Sequence, residues 1–262
     1  MKIGFVGGGA LAESVIKGIA DKIVEAQDIY VSERYEIRRK YLNQKYKINA
    51  VDGVDSFILG IDLLIIAVKP KDAVAALTEV SSKVGTNTVV VSVVAGLKLT
   101  KVEEYFQNHS VIRVMPNVAI AVAEGMNVFT IGKNVKPAEV EMIRKFFSAL
   151  GRCIEVDESL MDAVTGLSGS GPAYAFLMID ALADGGVAAG LPRDKAIELA
   201  AQTLLGAAKM VLELGDHPDV LRDRVTSPAG TTIEGVRVME RGGVRSALIE
   251  AVLAATEKSK SM

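Results

Sequence analysis

A glycine-rich segment near the start of the chain carries the pattern with the clearest chemical meaning. Gly7, Gly9 and Ala12 form a G-x-G-x-x-A motif that follows a short apolar run and precedes a helical pattern. In such a turn the first glycine permits a tight bend, the second lets the backbone approach a pyrophosphate, and the alanine allows close helix packing. N–H groups at the helix start attract the anion, so the motif predicts a dinucleotide site, with a glycine-rich turn without a ligand as the alternative. The predicted contacts here are Val6, Gly7, Gly8, Gly9, Ala10, Leu11 and Ala12.

An acidic residue at the end of the next predicted strand bears on which cofactor binds. Glu33 follows an alternating apolar pattern, and a carboxylate at this position accepts hydrogen bonds from the ribose hydroxyls of NAD and repels the 2′-phosphate of NADP. Ser32 and Arg34 flank Glu33, and the guanidiniums of Arg34 and Arg38 could bind that phosphate. An ordinary solvated helix face is the other interpretation of Arg38. Both NAD(H) and NADP(H) therefore stay open.

Small and polar residues follow three further predicted strands. In an open α/β sheet, ligands bind beyond the carboxyl ends of the strands, so these residues are candidates for contacts with the nicotinamide and its ribose. Lys69 is either such a contact or a surface lysine, and Asn117 either caps a turn or faces the nicotinamide. The predicted contacts are Ala67, Val68, Lys69, Pro70, Val93, Val94, Ala95 and Asn117.

A second anion site is predicted in the loop Ser227–Thr232, which precedes another helical pattern. Backbone N–H groups and hydroxyls at a helix start can hold a small carboxylate. The alternative is a simple capped turn, in which Ser227 or Thr231 caps the helix. The residues alone leave both interpretations open.

The elements that must position these residues fall into two halves. Up to residue 157, short β-branched runs alternate with helical patterns, and several runs are apolar at consecutive positions, as a parallel sheet covered on both faces requires. This order predicts an α/β fold with a doubly wound, Rossmann-type sheet. The predicted strands are Lys2–Val6, Asp28–Ser32, Ile48–Ala50, Asp62–Val68, Thr88–Val93, Ser110–Met115, Met126–Gly132 and Cys153–Val156.

Three helices are predicted between these strands, and each shows either a characteristic start or a buried face. The second begins with a capping-box pattern at Thr100–Glu103, and the third covers Pro137–Leu150 and stops before a glycine. In the first, apolar residues recur every four positions and form one buried face. Those residues are Leu11, Val15, Ile19 and Ile23.

From residue 158 onward the strands disappear and apolar residues recur at helical spacing. We therefore expect two domains, a dinucleotide-binding domain over 1–157 and a helical substrate-binding and dimerisation domain over 158–262. Ala173–Leu182 and Ala196–Val211 are apolar on most sides, and a small monomeric domain can hardly cover such helices. They predict a homodimer, or a larger homo-oligomer, that exchanges helices.

Composition and charge argue against several classes of protein. Thirty basic and 32 acidic residues leave a net charge of −2, so no surface for nucleic acid or an anionic membrane is expected. The longest apolar runs are too short to span a bilayer, and no His/Cys cluster has metal-ligand spacing. Cys153 is the only cysteine, which argues against a disulfide framework; it is expected in the core rather than as a nucleophile. Together with the lack of a signal-peptide pattern, this favours a cytoplasmic location.

Four segments carry longer motifs. They are Ala67–Pro70, Arg113–Asn117, Thr165–Tyr174 and Asp223–Gly235, the last followed by Glu240 and Arg245. Together they resemble motifs of the Δ1-pyrroline-5-carboxylate reductase family, and the resemblance covers essentially the whole chain. The sequence departs from the family pattern at Ala229, where glycine is usual, and at Glu33, where NADPH-preferring members tend to carry an uncharged residue. The first departure predicts a slightly altered turn, and the second leaves the cofactor preference open.

The resemblance implies hydride transfer from NAD(P)H to the cyclic imine 1-pyrroline-5-carboxylate, which gives L-proline. The implied substrate-binding residues are Glu158, Ser227, Gly230, Thr231 and Thr232. Among these, Glu158 contacts the ring, the two threonines bind the carboxylate and the ring nitrogen, and Thr232 is the catalytic residue. Arg224 falls where only some members contact the substrate.

Two other functions compete with this one. A β-hydroxyacid dehydrogenase of similar architecture needs a proton donor for the developing alkoxide, but no Lys, Arg or His lies between Glu158 and Pro192. A cyclic imine can bind already protonated, so its reduction needs no strong acid. A non-catalytic dinucleotide-binding protein would have no use for the hydroxyls of Ser227, Thr231 and Thr232.

Overall fold

The structure, a computed structural model, describes residues 1–262 and divides into two compact units. The first unit comprises Met1–Ser170 together with Ala254–Met262, and the second comprises Gly171–Leu253. The C-terminal residues thus belong to the first unit, although the helix that carries them begins in the second. The predicted domain boundary between residues 157 and 158 stays a prediction.

An eight-stranded sheet forms the centre of the first unit. All eight predicted strands are present, with ends that lie within two residues of the prediction. The strands are β1 Ile3–Val6, β2 Ile29–Ser32, β3 Asn49–Val51, β4 Leu63–Ile66, β5 Val89–Ser92, β6 Val111–Met115, β7 Gly125–Ile131 and β8 Gly151–Glu155. Their order across the sheet is β3-β2-β1-β4-β5-β6-β7-β8. Successive strands are added on one side of β1 up to β3 and on its other side from β4 onward, which is typical of doubly wound folds.

One pair of strands departs from the parallel pattern. β7 runs antiparallel to β6, whereas every other neighbouring pair is parallel. The connection from Met115 to Gly125 explains the reversal, because a parallel pair needs a crossover of about a dozen residues or more, usually through a helix. The apolar runs in the sequence predict strands but do not show whether neighbouring strands are parallel or antiparallel.

Helices cover both faces of the sheet, so the strands are apolar on both sides. Along β4, Leu63 and Ile65 belong to one buried cluster, and Leu64 and Ile66 belong to the other. Alternate residues of a strand point to opposite faces, which accounts for the continuous apolar runs in the sequence. The helices of this unit are α1 Ala10–Ile19, α2 Glu36–Tyr46, α3 Ala73–Ser81, α4 Leu99–Tyr105, α5 Pro137–Ser148 and α6 Met161–Val164.

The buried face of α1 differs from the predicted one. The helix ends at Ile19, and Ile23 lies beyond it with an exposed side chain. A step of four residues overshoots one helical turn by about 40°, so a stripe with strict four-residue spacing drifts around the helix. The buried face instead consists of Ala12, Val15, Ile16 and Ile19, and Leu11 is half-buried.

The predicted capping box at Thr100–Glu103 is wrong. α4 begins one residue earlier, at Leu99, and the side chain of its N-cap residue, Lys98, makes no capping bond. Glu103 does not turn back to its own helix, because its carboxylate accepts the N–H of Lys133 at 2.8 Å. The carboxylate that a capping box would need is therefore bonded to a residue 30 positions away in the sequence.

The second unit is helical, as predicted. Its helices are α7 Gly171–Ala188, α8 Arg193–Leu214, α9 Pro218–Arg224, α10 Thr231–Arg241 and the larger part of α11 Val244–Lys260. Its one buried cluster contains only small side chains, at Ala183, Ala196 and Ala200, and Leu221 on α9 is buried apart from it. Large apolar side chains on α7, such as Phe176 and Leu177, are mostly exposed. None of the helices combines the length and apolar character that a membrane crossing needs.

Candidate active site

The carboxyl ends of four strands meet at one edge of the sheet. Val6 lies between Ser32 and Ile66 in parallel register, and Ile66 in turn pairs with Ser92. The segments that leave these strands therefore start side by side, as in other doubly wound folds that bind ligands at this edge. They carry the predicted cofactor contacts at 6–12, 32–34, 67–70 and 93–95.

The glycine motif has the geometry of a phosphate-binding turn. Gly7 has a φ of +98°, and a Cβ there would lie 2.7 Å from the carbonyl oxygen of Ala67, so glycine is required. Gly9 occupies the N-cap of α1, where no side chain caps the helix, and the space that a Cβ would face is open. The first N–H groups of α1 thus lack a side-chain partner. These features fit the pyrophosphate of a dinucleotide.

Glu33 lies beside this turn, as its position after β2 predicts. Its Oε2 accepts the N–H of Gly8 at 3.0 Å, and its Oε1 accepts the N–H of Tyr35 at 3.0 Å. A carboxylate has about four acceptor sites, so both oxygens keep the capacity to bind ribose hydroxyls. Sequence position alone did not predict the bond to Gly8.

The two neighbouring arginines have different surroundings. Arg34 is exposed; its guanidinium lies 3.4 Å from the carboxylate of Asp72 and 5.3 Å from the ring centre of Tyr35. Arg38 donates from Nε to the carbonyl of Gly8 at 2.7 Å and from Nη2 to the carboxylate of Glu13 at 2.6 Å. It is therefore not part of an ordinary solvated helix face.

Asn117 caps a turn, which confirms one of its two interpretations. Its Oδ1 accepts the N–H of Ala119 at 3.1 Å, and its Nδ2 donates to the carbonyl of Ser168 at 3.0 Å. A contact between Asn117 and the nicotinamide stays a prediction. Lys69 is exposed; it lies three residues beyond the end of β4 and immediately before the short helical turn Pro70–Asp72.

Glu158 forms a charged pair that the sequence analysis missed. Its Oε1 accepts from Nη1 of Arg113 at 2.7 Å and from the N–H of Leu99, the first residue of α4, at 2.9 Å. Arg113 is only 2% exposed, and its Nη2 and the Oε2 of Glu158 are buried without a hydrogen-bond partner. Arg113 itself could have predicted such a pair, because an arginine within an apolar strand needs a buried hydrogen-bond acceptor.

The loop before α10 lies in the second unit and contains the other predicted substrate contacts. Ala229 has a φ of +55°, in the left-handed region that favours glycine, which gives a physical reason for the glycine that is usual there. Gly230 is the N-cap, and a Cβ at this position would clash with Oγ of Ser227. No side chain caps α10, so the alternative in which Ser227 or Thr231 caps the helix is wrong.

The threonines that follow Gly230 begin α10. Thr231 is exposed and Thr232 is half-buried, and both lie in an uncapped first turn whose N–H groups are available to an anion. Arg224 is less available, because its guanidinium pairs with Asp216 at 2.7 Å. The positions of Ser227, Gly230 and the two threonines are therefore suited to a small carboxylate.

Cys153 is not an activated nucleophile. Burial raises the pKa of its thiol to about 11, and the nearby guanidinium of Arg144 lowers it only in part. The side chain packs against the buried cluster on one face of the sheet. A thiol with this pKa is protonated at neutral pH, as expected for a core residue.

The sheet order and the uncapped glycine turn are those of a dinucleotide-binding protein of the Rossmann type. Residues 158–262 match the family described as pyrroline-5-carboxylate reductase dimerisation, and residues 2–96 match the family described as NADP oxidoreductase, coenzyme F420-dependent. The pyrroline-5-carboxylate reductase of Arabidopsis thaliana is 43% identical over 262 residues, which cover 100% of this chain and 95% of the relative. That of Methanosarcina acetivorans is 43% identical over 100% of this chain and 97% of the relative.

A solved structure is similar over the same length. The pyrroline carboxylate reductase of Plasmodium falciparum, determined with NADP bound, has a TM-score of 0.91 and 29% sequence identity, and the match covers 100% of this chain and 97% of that one. The chain belongs to the pyrroline-5-carboxylate reductase family. It is an oxidoreductase that acts on a CH–NH bond with NAD(P)H, and its dimerisation domain makes it a homo-oligomer.

Proposed function

We propose that the chain transfers hydride from NAD(P)H to the imine carbon of 1-pyrroline-5-carboxylate and so forms L-proline in the last step of proline biosynthesis. The observation that carries this proposal is the uncapped start of α10, where Gly230 and the two threonines leave N–H groups and hydroxyls available. A helix start without its own cap attracts an external anion. The substrate carboxylate is such an anion.

Thr231 and the loop around Gly230 hold the substrate through its carboxylate. The hydroxyl of Thr231 and the N–H groups of the first turn donate hydrogen bonds to the two carboxylate oxygens. Ser227 lies against Gly230, where a larger residue would not fit, and thereby fixes the shape of the loop. This interaction is the same before and during the reaction, so it contributes to binding rather than to the chemical step.

Thr232 orients the ring nitrogen. A protonated imine is already electrophilic at carbon, and its reduction gives a neutral secondary amine, so no residue has to deliver a proton during hydride addition. The hydroxyl oxygen of Thr232 accepts the N–H of the ring and holds the imine carbon in position for attack. The absence of any Lys, Arg or His between Glu158 and Pro192 is compatible with this chemistry and not with ketone reduction.

The residues of the first unit hold the cofactor, which supplies the hydride when bound. Gly7 to Ala12 receive the pyrophosphate, and the remaining predicted contacts follow β4 and β5 at the same edge of the sheet. Glu33 lies beside the glycine turn, where its carboxylate accepts ribose hydroxyls and disfavours a 2′-phosphate. Glu158, fixed by Arg113 and the start of α4, is the proposed contact to the substrate ring.

A direct assay tests the proposed reaction. Purified protein is mixed with 1-pyrroline-5-carboxylate and either NADH or NADPH, and both the loss of reduced-nicotinamide absorbance and the appearance of proline are measured. We expect stoichiometric turnover with at least one cofactor. Turnover of 3-hydroxyisobutyrate with NAD, without activity on the imine, would instead identify a β-hydroxyacid dehydrogenase. No turnover with either substrate would support a binding protein.

We also propose that the homo-oligomer is a homodimer, or a multiple of one, built through the helical unit. Exposed apolar side chains on α7 and α8, including Phe176 and Leu205, support this arrangement. A groove of roughly 450 Å³ that is lined by Val236, Met239 and Leu248 among others also offers an apolar surface to a second copy. The near-neutral net charge argues against a nucleic-acid partner, and the single cysteine, which is typical of a reducing compartment, supports a cytoplasmic location.

A further inference from the structure

The peptide groups around Gly8, in the middle of the dinucleotide turn, are held by charged side chains from two other elements. The N–H of Gly8 donates to Glu33, which follows β2, at 3.0 Å. Its carbonyl accepts from Nε of Arg38, on α2, at 2.7 Å. A glycine has no side chain to restrict its own backbone, so these two bonds determine how the peptides on either side are oriented.

The orientation of one peptide determines where the next N–H group points. In a trans peptide the carbonyl and the following N–H point in opposite directions. With the carbonyl of Gly8 directed at Arg38, the N–H of Gly9 is directed away from Arg38. The carbonyl of Gly9 accepts the N–H of Glu13 at 2.9 Å, the first bond of α1, and Nη2 of Arg38 lies 3.4 Å from the same oxygen, so the N–H of Ala10 is also directed away from Arg38. Arg38 thus holds the carbonyls of the turn on one side and leaves its N–H groups on the other.

Arg38 is itself held in place by Glu13 on α1. Nη2 of Arg38 lies 2.6 Å from Oε2 of Glu13. The other carboxylate oxygen of Glu13 accepts from the hydroxyls of Tyr41 and Tyr46, each at 2.8 Å, and from Nζ of Lys45 at 3.0 Å. Partial burial raises the pKa of Glu13, but the hydrogen bonds together lower it to about 2, so the carboxylate is ionised at neutral pH.

These contacts leave little freedom for Arg38 to bind anything else. Its guanidinium also lies 5.0 Å from the ring centre of Tyr41, within the range of a cation–π contact. Swinging out to a ligand phosphate would break the bonds to Gly8 and Glu13 together. Arg34, by contrast, is 67% exposed and is free to move.

We propose that Arg38, anchored by Glu13, is a positioning residue that presents the N–H groups of the glycine turn to the pyrophosphate of the dinucleotide. NADH and NADPH share that pyrophosphate, so Arg38 supports both cofactors equally and does not select between them. This inference rests on the dinucleotide site proposed at Gly7–Ala12.

Equilibrium binding of NADH and of NADPH to the full-length protein without substrate, measured by calorimetry, tests the proposal. We expect Arg38→Gln to raise both dissociation constants about tenfold, by the loss of oriented N–H donors, and to leave their ratio unchanged. Glu13→Gln should raise both in the same way. Since the two residues act as one unit, the double variant should be no weaker than the more affected single variant. Arg38→Lys keeps the charge but lacks the planar fork that bonds Gly8 and Glu13 from separate nitrogens, so it should recover only part of the affinity.

The controls separate the possible failures. Lys40→Gln removes an exposed cation of α2 that pairs with Glu36 and does not contact the turn, and it should leave NADH binding unchanged. Gly7→Ala should abolish binding of both cofactors if the site lies where proposed, so unchanged binding in this variant would refute the site itself. A loss confined to NADPH in Arg38→Gln would show a contact to the 2′-phosphate and overturn the proposal. Unchanged binding in Arg38→Gln, with binding lost in Gly7→Ala, would also overturn it. If Arg38→Gln fails to fold, as judged by circular dichroism, the dissociation constants of Glu13→Gln and Arg38→Lys for NADH and NADPH, and the ratio of the two, test the proposal instead.

Discussion

Thr232 is the residue on which the proposed chemistry depends most directly. It lies at the second position of α10, and the helix uses Gly230 as its N-cap without a side-chain cap. Its hydroxyl is therefore not needed to start the helix. This separation between the structural and the chemical role makes the residue informative, because a loss of activity after its truncation cannot be attributed to a missing cap.

We predict that Thr232→Ala lowers kcat more than it raises KM. A hydrogen bond to a charged ring nitrogen is worth about 1.5–3 kcal/mol, or roughly 10- to 150-fold in rate, if it is made mainly near the transition state. Thr232→Ser keeps the hydroxyl and should remain largely active. Steady-state kinetics with varied imine, together with thermal denaturation of each variant, measure both effects.

Thr231→Ala is the matched comparison. It weakens capture of the carboxylate before and during the reaction, so KM should rise while kcat changes little. Dinucleotide binding should survive in both threonine variants, since neither residue belongs to the first unit. Wild-type turnover in Thr232→Ala would contradict the assigned role, and unfolding of that variant would show that the residue is structural after all.

Glu33 is the residue that we propose to influence the balance between NADH and NADPH. Its carboxylate lies 3.0 Å from the N–H of Gly8 and opposes a 2′-phosphate at the same end of the site. We predict that Glu33→Ser raises the ratio of kcat/KM for NADPH over that for NADH by about tenfold, on the order of 1.4 kcal/mol. Because the same change also removes the partner of Gly8, both cofactors should bind less tightly, and only the ratio reports the repulsion.

A second acid on α2 provides the control for this measurement. Glu36 is exposed and pairs with Lys40 on its own helix. Glu36→Ser should leave the cofactor ratio unchanged. An unchanged ratio in Glu33→Ser would mean that this carboxylate points away from the ribose.

At the scale of elements, the strands and the start of α5 at Pro137 were predictable, and the start of α4 was not. Each strand carries its own apolar pattern, so all eight could be found from local sequence. The start of α4 depends instead on acceptors from elsewhere, since Glu103 bonds Lys133 and Glu158 accepts the N–H of Leu99. Such partners are set by the fold and leave no trace in a window of neighbouring residues.

The candidate site was also predictable only in part from the sequence. The glycine turn and the placement of Glu33 beside it followed from spacing, because a strand, a turn and a helix in series leave one arrangement. The bonds from Arg38 to Gly8 and from Arg113 to Glu158 join residues 30 and 45 positions apart. Only the three-dimensional structure could identify these pairs.

The contact between α1 and α2 predicts a dependence of stability on pH. The pKa of Glu13 lies at about 2 in the folded protein, below its usual value of 4.5. Because the folded value is depressed, ionised Glu13 stabilises the fold above about pH 4.5, and this contribution is lost as the pH falls toward 2. We predict that wild type loses more unfolding free energy than Glu13→Gln over this interval. Urea denaturation at a series of pH values and one fixed protein concentration measures the difference.

Glu36→Gln serves as the control for this prediction as well. It removes an exposed acid from the same pair of helices without touching Glu13, so its curve should follow that of wild type. Parallel curves for wild type and Glu13→Gln would show that the hydrogen bonds around Glu13 do not hold it in its ionised form.

At the scale of the whole molecule, the helical unit is incomplete by itself. Its one buried cluster holds three alanines, and Leu221 is buried apart from them, while Phe176, Leu177 and Leu199 are more than half exposed. Exposing that much apolar surface costs about 25 cal/mol for each Å², which a second copy can recover by covering it. The homo-oligomer that the family implies is therefore also what the composition of these helices requires.

We predict that the protein sediments as a dimer or a larger assembly even when dilute, and that Leu177→Glu shifts it toward a monomer. Leu177 is 71% exposed on α7, and a buried glutamate without a partner would oppose association strongly. Ile37→Glu is the matched control, because Ile37 is 86% exposed on α2 in the first unit and should not contribute to the interface. Sedimentation velocity over a range of concentrations distinguishes the two variants, and circular dichroism shows whether each remains folded. A stable, active wild-type monomer would refute the assembly, and dissociation of the Ile37→Glu variant instead would place the interface on the first unit.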